Sequence, residues 1–441
     1  MRIPTTARLL AAVGVLAGLA ATTALAQDKP YEGVTLRVLS TQQPWDAEIE
    51  KRVAAFEEET GADVQFDLYA FGQAVQKIGV ELSTGSPAYD VFFLEASDVP
   101  RYAAAGRLAP FDDAIAAMEG FDGADFIPTT LEAFKYDGKQ MGVPYFAATQ
   151  LNYWRGPVLA EAGFDKAPET FEDMLSICKA LKEKGVAPCT ALRGKPNTSE
   201  NVWYWTQIML AQGGHWVKDY PQDMTPTLNS PEAVRATEIY AELLNDYSIP
   251  GSVSAGYDEV VVAMQQGNIA MAIEGAPLAG RILDPELSKV QGELGFAPPP
   301  GGPAGRFAPF NAQGWAVGAS SKNAEAAQAF VLWATSKETV TDVTLNSSFL
   351  AVTRQSVWND PAFTEKHGYD FGYGEFTRAY AQALADGDPL YRLPIPEFRA
   401  VGDRVGLALQ EVVTGRRSAQ DALDAAQADT ERMFRRTGYI D

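Results

Sequence analysis

Between residues 34 and 94 the spacing of hydrophobic positions switches back and forth between the two-residue period of a strand and the 3.6-residue period of a helix. Val34-Thr35-Leu36-Arg37-Val38-Leu39 alternates and predicts a strand. The run 46–60 sets Ile49, Val53 and Phe56 on one helical face, with Gly61 as its stop. A second strand is predicted over 62–69, a helix over 72–83 that ends at Gly85, and a short strand over 89–94 that is apolar on both faces. This β-α-β-α-β order predicts a parallel sheet covered by helices on both sides.

The middle of the chain reads as more helical. A broad apolar face of Phe171, Met174, Leu175, Ile177, Cys178 and Leu181 predicts a helix over 170–184. Further helices are predicted over 202–212, 231–247 and 259–266, and a buried strand over 269–273 that ends at Glu274-Gly275. The Pro- and Gly-rich run 296–305 reads as a loop crossing between lobes. A strand over 314–318 and helices over 324–336, 400–414 and 419–434 complete the pattern, and no internal repeat is found.

A chain of 441 residues with 46% hydrophobic residues carries enough apolar material for two or three lobes, each with its own core. The formal net charge of −21 without a basic run speaks against a nucleic-acid partner, whose phosphates need a cationic face. Two histidines and two cysteines are too few for a Cys/His zinc site, a haem ligand pair or an iron–sulfur cluster, so no metal or cofactor is expected. At the N-terminus, Arg2 and Arg8 precede a short apolar run over 9–21, and Ala24-Leu25-Ala26 fits a small-x-small cleavage site. Residues 1–26 therefore read as a signal peptide, too short and too rich in small residues for a comfortable membrane span, and the protein is expected in the periplasm.

Cys178 and Cys189 have ten residues between them, around a Gly-containing turn. In an oxidising compartment such a pair is expected to form a disulfide closing that turn; the alternative is two buried free thiols.

In open sheets of this kind ligands sit beyond the carboxyl ends of the strands. That rule points to Gln42, Gln43 and Trp45 after the first strand and to Glu95 after the third, residues that could equally be turn and capping chemistry. No nucleophile elbow or phosphate-binding loop is present, and Gly372-Tyr373-Gly374 lacks the third glycine of a dinucleotide loop. Carboxylates are too numerous for counting to exclude a glycosidase pair.

A set of segments then occurs in a fixed order. Tyr89-Asp90-Val91-Phe92-Phe93-Leu94 leads into Ala105-Gly106-Arg107-Leu108; Tyr136-Asp137-Gly138-Lys139 leads through Gly142-Val143-Pro144 to Leu151-Asn152-Tyr153-Trp154 and Glu161-Ala162-Gly163. Pro168-Glu169-Thr170-Phe171, Met264-Gln265-Gln266-Gly267, Pro300-Gly301-Gly302 and Ser321-Lys322-Asn323 follow. In this order the chain resembles the family 1 extracellular solute-binding proteins of sugar-type ABC transporters. The resemblance implies an α/β fold of two lobes, the type II periplasmic binding protein fold, with parallel-rich sheets flanked by helices and a hinge between lobes. By analogy residues 31–147 plus 311–353 form the first lobe and 148–310 plus 354–441 the second. It also implies a monomer that performs no chemistry, captures a sugar, polyol or glycerol phosphate in the cleft and delivers it to a membrane permease.

A cleft for a polyhydroxylated ligand mixes aromatic rings with side chains that donate and accept hydrogen bonds. Beside Gln42, Gln43, Trp45 and Glu95, the residues expected there are Arg193, Asn201, Trp203, Glu274, Gly275, Asn311, Gln313 and Trp315, with Trp205 and Trp315 the closest to plain core. Many relatives carry a Trp after the glycine at 275, where this chain has Ala276-Pro277, and many carry an acidic residue in the segment after Pro144, where this chain reads Tyr145-Phe146-Ala147-Ala148-Thr149-Gln150. A small neutral monosaccharide or linear polyol is therefore expected rather than a long oligosaccharide. Arg193 is the only clear cation for a phosphorylated ligand. An exported glycosidase or lyase, and a binder of amino acids, are the competing readings.

Overall fold

In the first sheet, three strands lie parallel in the order Asp63–Tyr69, Thr35–Thr41, Val91–Glu95. A computed structural model describes residues 29–388 and 390–441; the predicted signal peptide lies outside them. Every residue of Val91–Glu95 is buried, as its lack of alternation predicts. The helices Pro44–Thr60 and Phe71–Thr84 supply the crossovers; the first buries Ile49 and Phe56 and ends where Gly61 takes φ of 80°. The parallel order stops at Val91–Glu95. Its other neighbour is Asn311–Gly318, which runs antiparallel to it and also pairs antiparallel with Leu108–Ala109 and Val143–Ala148.

Val143–Ala148 and Gln150–Arg155 are separated by Thr149 alone, which is fully buried. The first strand belongs to the first sheet and the second to the other lobe, so one extended segment passes between them. Beside it Asn311 pairs with Ala148, and the Ala147 N–H donates to the Ala351 carbonyl at 3.0 Å. Neither strand was legible as one: the run from Tyr145 to Trp154 mixes apolar residues with the buried Gln150 and Asn152, and the two-residue period is lost.

The second sheet has the order Met271–Gly275, Gln150–Arg155, Leu294–Ala297 and is antiparallel throughout. This sheet is thus not parallel-rich, because the strand that enters the second lobe runs against both neighbours it meets there; a short parallel pair, Ala308–Pro309 with Gly387–Asp388, lies outside it. Leu294–Ala297 also takes the start of the run read as a loop, 296–305. Around this sheet pack Phe171–Lys184, Asn201–Gln212, Pro231–Asp246, Phe398–Val413 and Ala419–Thr437. Asn201–Gln212 is buried on every side from Asn201 to Ala211, the central helix of the lobe.

One apolar core holds the first lobe and includes Val357 and Phe363, so part of the segment beyond residue 353, which the resemblance gave to the second lobe, packs on the first. The second lobe has a large core around its helices and a smaller one around Val260, Ile282 and Phe376. Cys178 and Cys189 are joined in a disulfide with 4.9 Å between their Cα atoms, linking the middle of the helix Phe171–Lys184 to the segment that leads to Arg193. No helix of the described residues is long and apolar enough to cross a membrane.

Candidate functional site

The carboxyl ends of the first-lobe strands face the second lobe across a cavity of about 440 Å³. From the first lobe, Gln42, Gln43 and Trp45 reach it after the first strand, Glu95 ends the third, and Asn311 and Gln313 stand on the returning strand. Gln43 precedes the helix Pro44–Thr60 and makes no side-chain cap, so its amide is not spent on the helix. Trp45 is fully buried, its ring stacked on Tyr145 at 5.1 Å and tilted against Phe349 at 5.1 Å.

Behind this loop lies a polar knot. The Ser40 and Thr41 hydroxyls both donate to Asp46, and the Trp315 indole N–H donates to Ser40 at 3.0 Å. Burial raises the Asp46 carboxyl to about 7, more than the hydrogen bonds can lower it. The knot ties the end of the first strand to the first turn of the helix and fixes the loop between them.

From the second lobe come Arg193, Ser199, Glu200, Trp203, Tyr257, Gly275, Arg281 and Arg392. Arg193 is set by its neighbour: a Cβ on Gly194 would lie 2.1 Å from the Ser252 carbonyl oxygen, so only glycine lets the chain pass there. The Arg193 guanidinium is held by Glu274 through Nε at 2.8 Å and through Nη2, donates to the Ser199 carbonyl at 3.0 Å, and lies 3.5 Å from Glu200. Burial alone would lower its pKa, but Glu274 and Glu200 outweigh burial and raise it. Burial raises the pKa of Glu200 itself, against the pull of Arg193.

Glu95 crosses the cleft. Arg392 donates to one oxygen at 3.1 Å; Arg399 at 3.2 Å and Ser199 at 3.1 Å donate to the other. Arg399 also makes two bonds to Asp98, at 2.9 and 2.7 Å. Burial pushes the Glu95 carboxyl up, yet the two guanidinium groups outweigh it and hold Glu95 below the usual carboxylate range.

Nine of the twelve residues expected in the cleft line the cavity: Gln42, Gln43, Trp45, Glu95, Arg193, Trp203, Gly275, Asn311 and Gln313. Three do not. Asn201 turns inward, donating to the Gly406 carbonyl at 2.8 Å and accepting the Asn197 N–H, which ties the start of the helix Asn201–Gln212 to the middle of Phe398–Val413. Trp315 lies deeper along its strand, opposite Phe93, in the first core. Glu274 lies behind Arg193 and acts on the cavity only through it. The expectation of a single cation is also corrected, since Arg281 and Arg392 line the cavity too.

Phe71, Phe146 and Phe349 join the wall from the first lobe, and Pro277 and Leu278 from the second. Three buried polar atoms of lining residues have no partner among the described residues, Trp45 Nε1, Arg392 Nε and Gln313 Oε1; Glu200 Oε2 makes no hydrogen bond either but lies 3.5 Å from Arg193 Nη1 in an ion pair.

The family model of the bacterial extracellular solute-binding proteins matches residues 40–341. A mannitol-binding protein of Pseudomonas aeruginosa is 26% identical over 411 residues, 88% of this chain and 91% of its own. Among solved structures, an ABC transporter solute-binding protein of Agrobacterium radiobacter K84 in complex with ribitol is similar with a TM-score of 0.82 at 27% identity, covering 92% of this chain and all of its own. One from Agrobacterium vitis S4 with bound D-mannitol has a TM-score of 0.81 at 24% identity and speaks for the fold alone.

Proposed function

The chain belongs to the bacterial extracellular solute-binding proteins, and from that premise we propose that it captures a small neutral polyol or sugar between its lobes, a linear polyol first, and delivers it to an ABC transporter permease. The observation that carries this reading is one ring-lined cavity to which both lobes bring neutral polar side chains, Gln42, Gln43 and Asn311 from the first and Ser199 and Tyr257 from the second. A hydroxyl gives one hydrogen bond and accepts others, and a carbon chain packs its C–H groups on Trp and Phe faces. The cavity volume of about 440 Å³ falls toward the small end of ligand pockets. Relatives carrying mannitol in the name and ribitol in the crystal fit that size.

Neutrality follows from the pairing of charges. Arg193 is paired with Glu274, Arg392 with Glu95, and Arg281 with Asp258. A phosphate or carboxylate would find no uncommitted cation among these three. The same pairing favours a binder over a hydrolase, because Glu95 is committed to two guanidinium groups and a hydroxyl. Export as a monomer to the periplasm through the leader 1–26 completes the reading.

A thermal-shift screen over ribitol, D-mannitol, monosaccharides, glycerol 3-phosphate and amino acids tests it. A specific ligand at 100 times its Kd adds about 2.7 kcal/mol. Stabilisation by a polyol, with a smaller radius of gyration at saturation, is the expected result. Stabilisation by an anion or an amino acid alone would overturn it.

A further inference from the structure

We propose that Arg392, positioned from the opposite lobe by Glu95, is a specificity-determining contact of the cavity, and that its free Nε–Nη2 edge donates to a hydroxyl oxygen of the ligand. The inference rests on the polyol reading above. Two parts of this guanidinium, and the backbone that carries it, are accounted for. Its Nη1 donates to Glu95 at 3.1 Å and to the Ser97 hydroxyl at 3.2 Å, both on the first lobe. Its face lies 5.1 Å from the centre of the Trp203 ring. Its backbone is anchored between Tyr391 and Leu393, both buried in the second core; the Tyr391 carbonyl accepts the Trp216 indole N–H at 2.9 Å, and the Tyr391 ring meets Trp203 edge-on at 4.8 Å.

What remains is the edge formed by Nε and Nη2. The Arg392 side chain is 8% exposed and lines the cavity; Nε is buried with no partner, and Nη2 makes no hydrogen bond, among the described residues. A guanidinium edge left unpaired is costly, and a ligand oxygen at the cavity wall removes that cost. Because Glu95 neutralises the guanidinium, this edge asks for a lone pair and not for a charge. The contact therefore suits a hydroxyl and offers a carboxylate or phosphate nothing extra. Glu95 is fully engaged by Arg392, Arg399 and Ser199, which makes it a positioning residue. Glu95 and Arg392 sit on different lobes, so the guanidinium is held ready only when the lobes are together.

The test titrates the full chain by calorimetry with D-mannitol, ribitol, their monodeoxy analogues and gluconate. In the wild type one deoxy analogue should bind about tenfold more weakly than its parent, the loss of one charge-assisted hydrogen bond. Arg392→Lys keeps a cation opposite Glu95 but lacks the Nε–Nη2 edge; it should bind parent and analogue alike, at the weaker level. Glu95→Gln leaves the guanidinium unneutralised in the cavity. It should weaken polyol binding and admit gluconate, which the wild type rejects. Retained discrimination in Arg392→Lys, or unchanged rejection of gluconate in Glu95→Gln, would overturn the role of Arg392. A wild type that binds no polyol would instead overturn the reading on which it rests.

Discussion

Arg193 and Glu274 meet side by side, Nε on one carboxylate oxygen and Nη2 on the other, with 1% of the Glu274 side chain exposed. The two come from segments 81 positions apart, and only one of them touches the cavity. Arg193→Ala would leave Glu274 buried without its partner. The expected cost is about 3–5 kcal/mol of stability, read by urea unfolding, together with a loss of ligand affinity. The double variant Arg193→Met, Glu274→Leu should recover most of the stability and none of the affinity. A single variant as stable as the wild type would contradict the pairing.

Trp203 carries Arg392 on its face and meets Tyr391 at its edge. In Trp203→Ala the affinity for the identified ligand should fall by one to two orders of magnitude, if a buried ring contact is worth roughly 1.5–3 kcal/mol. Trp203→Phe should retain most of it. Equal affinities in all three proteins, by calorimetry, would remove the ring from the site.

Asp46 sets a pH dependence of defined sign. Its carboxyl sits at about 7 in the folded protein, above its ordinary value of 3.8. The folded state therefore holds this proton more tightly than the unfolded state. That contribution to stability is complete below pH 4 and is lost as the pH rises through 7. Relative to Asp46→Asn, the wild type should lose stability between pH 5 and 7 with a slope of up to about 1.4 kcal/mol per pH unit. Parallel stability profiles for the two proteins would show that Asp46 does not titrate there.

The disulfide closes a short turn in the second lobe. Replacing Cys178 and Cys189 together by Ala should cost roughly 2–3 kcal/mol, the entropy of a loop of that size. Alkylation of the native protein without reductant should add no mass; two modified thiols would refute the bridge.

Much of the fold was legible because period and punctuation agree. The helix Pro44–Thr60 ends at Gly61, Phe71–Thr84 at Gly85 and Phe171–Lys184 at Gly185, each glycine left-handed. Gln42, Gln43 and Glu95 were reached by the rule of strand ends alone. The rule does not say how deep along a strand a residue sits. Gln313 is paired opposite Glu95 and meets the cavity, whereas Trp315, two residues on, is paired opposite Phe93 and meets the core. Arg392 was missed because its partner is 297 positions away. Its one local sign is an arginine set among Tyr391, Leu393 and Ile395, all three buried.

The strand Asn311–Gly318 lies inside the first sheet, yet the chain reaches it only after passing through most of the second lobe. Trp315 and Ser40 share a hydrogen bond across 275 positions. For a polypeptide completed from its N-terminus, the first lobe then has no finished state of its own. Until residue 311 arrives, Val91–Glu95 presents a bare apolar edge for roughly 200 residues of chain, the kind of edge that pairs with other chains. The order of arrival thus makes the final third of the polypeptide the step that closes the first lobe, and a chain truncated before that strand should aggregate rather than yield half a binding protein.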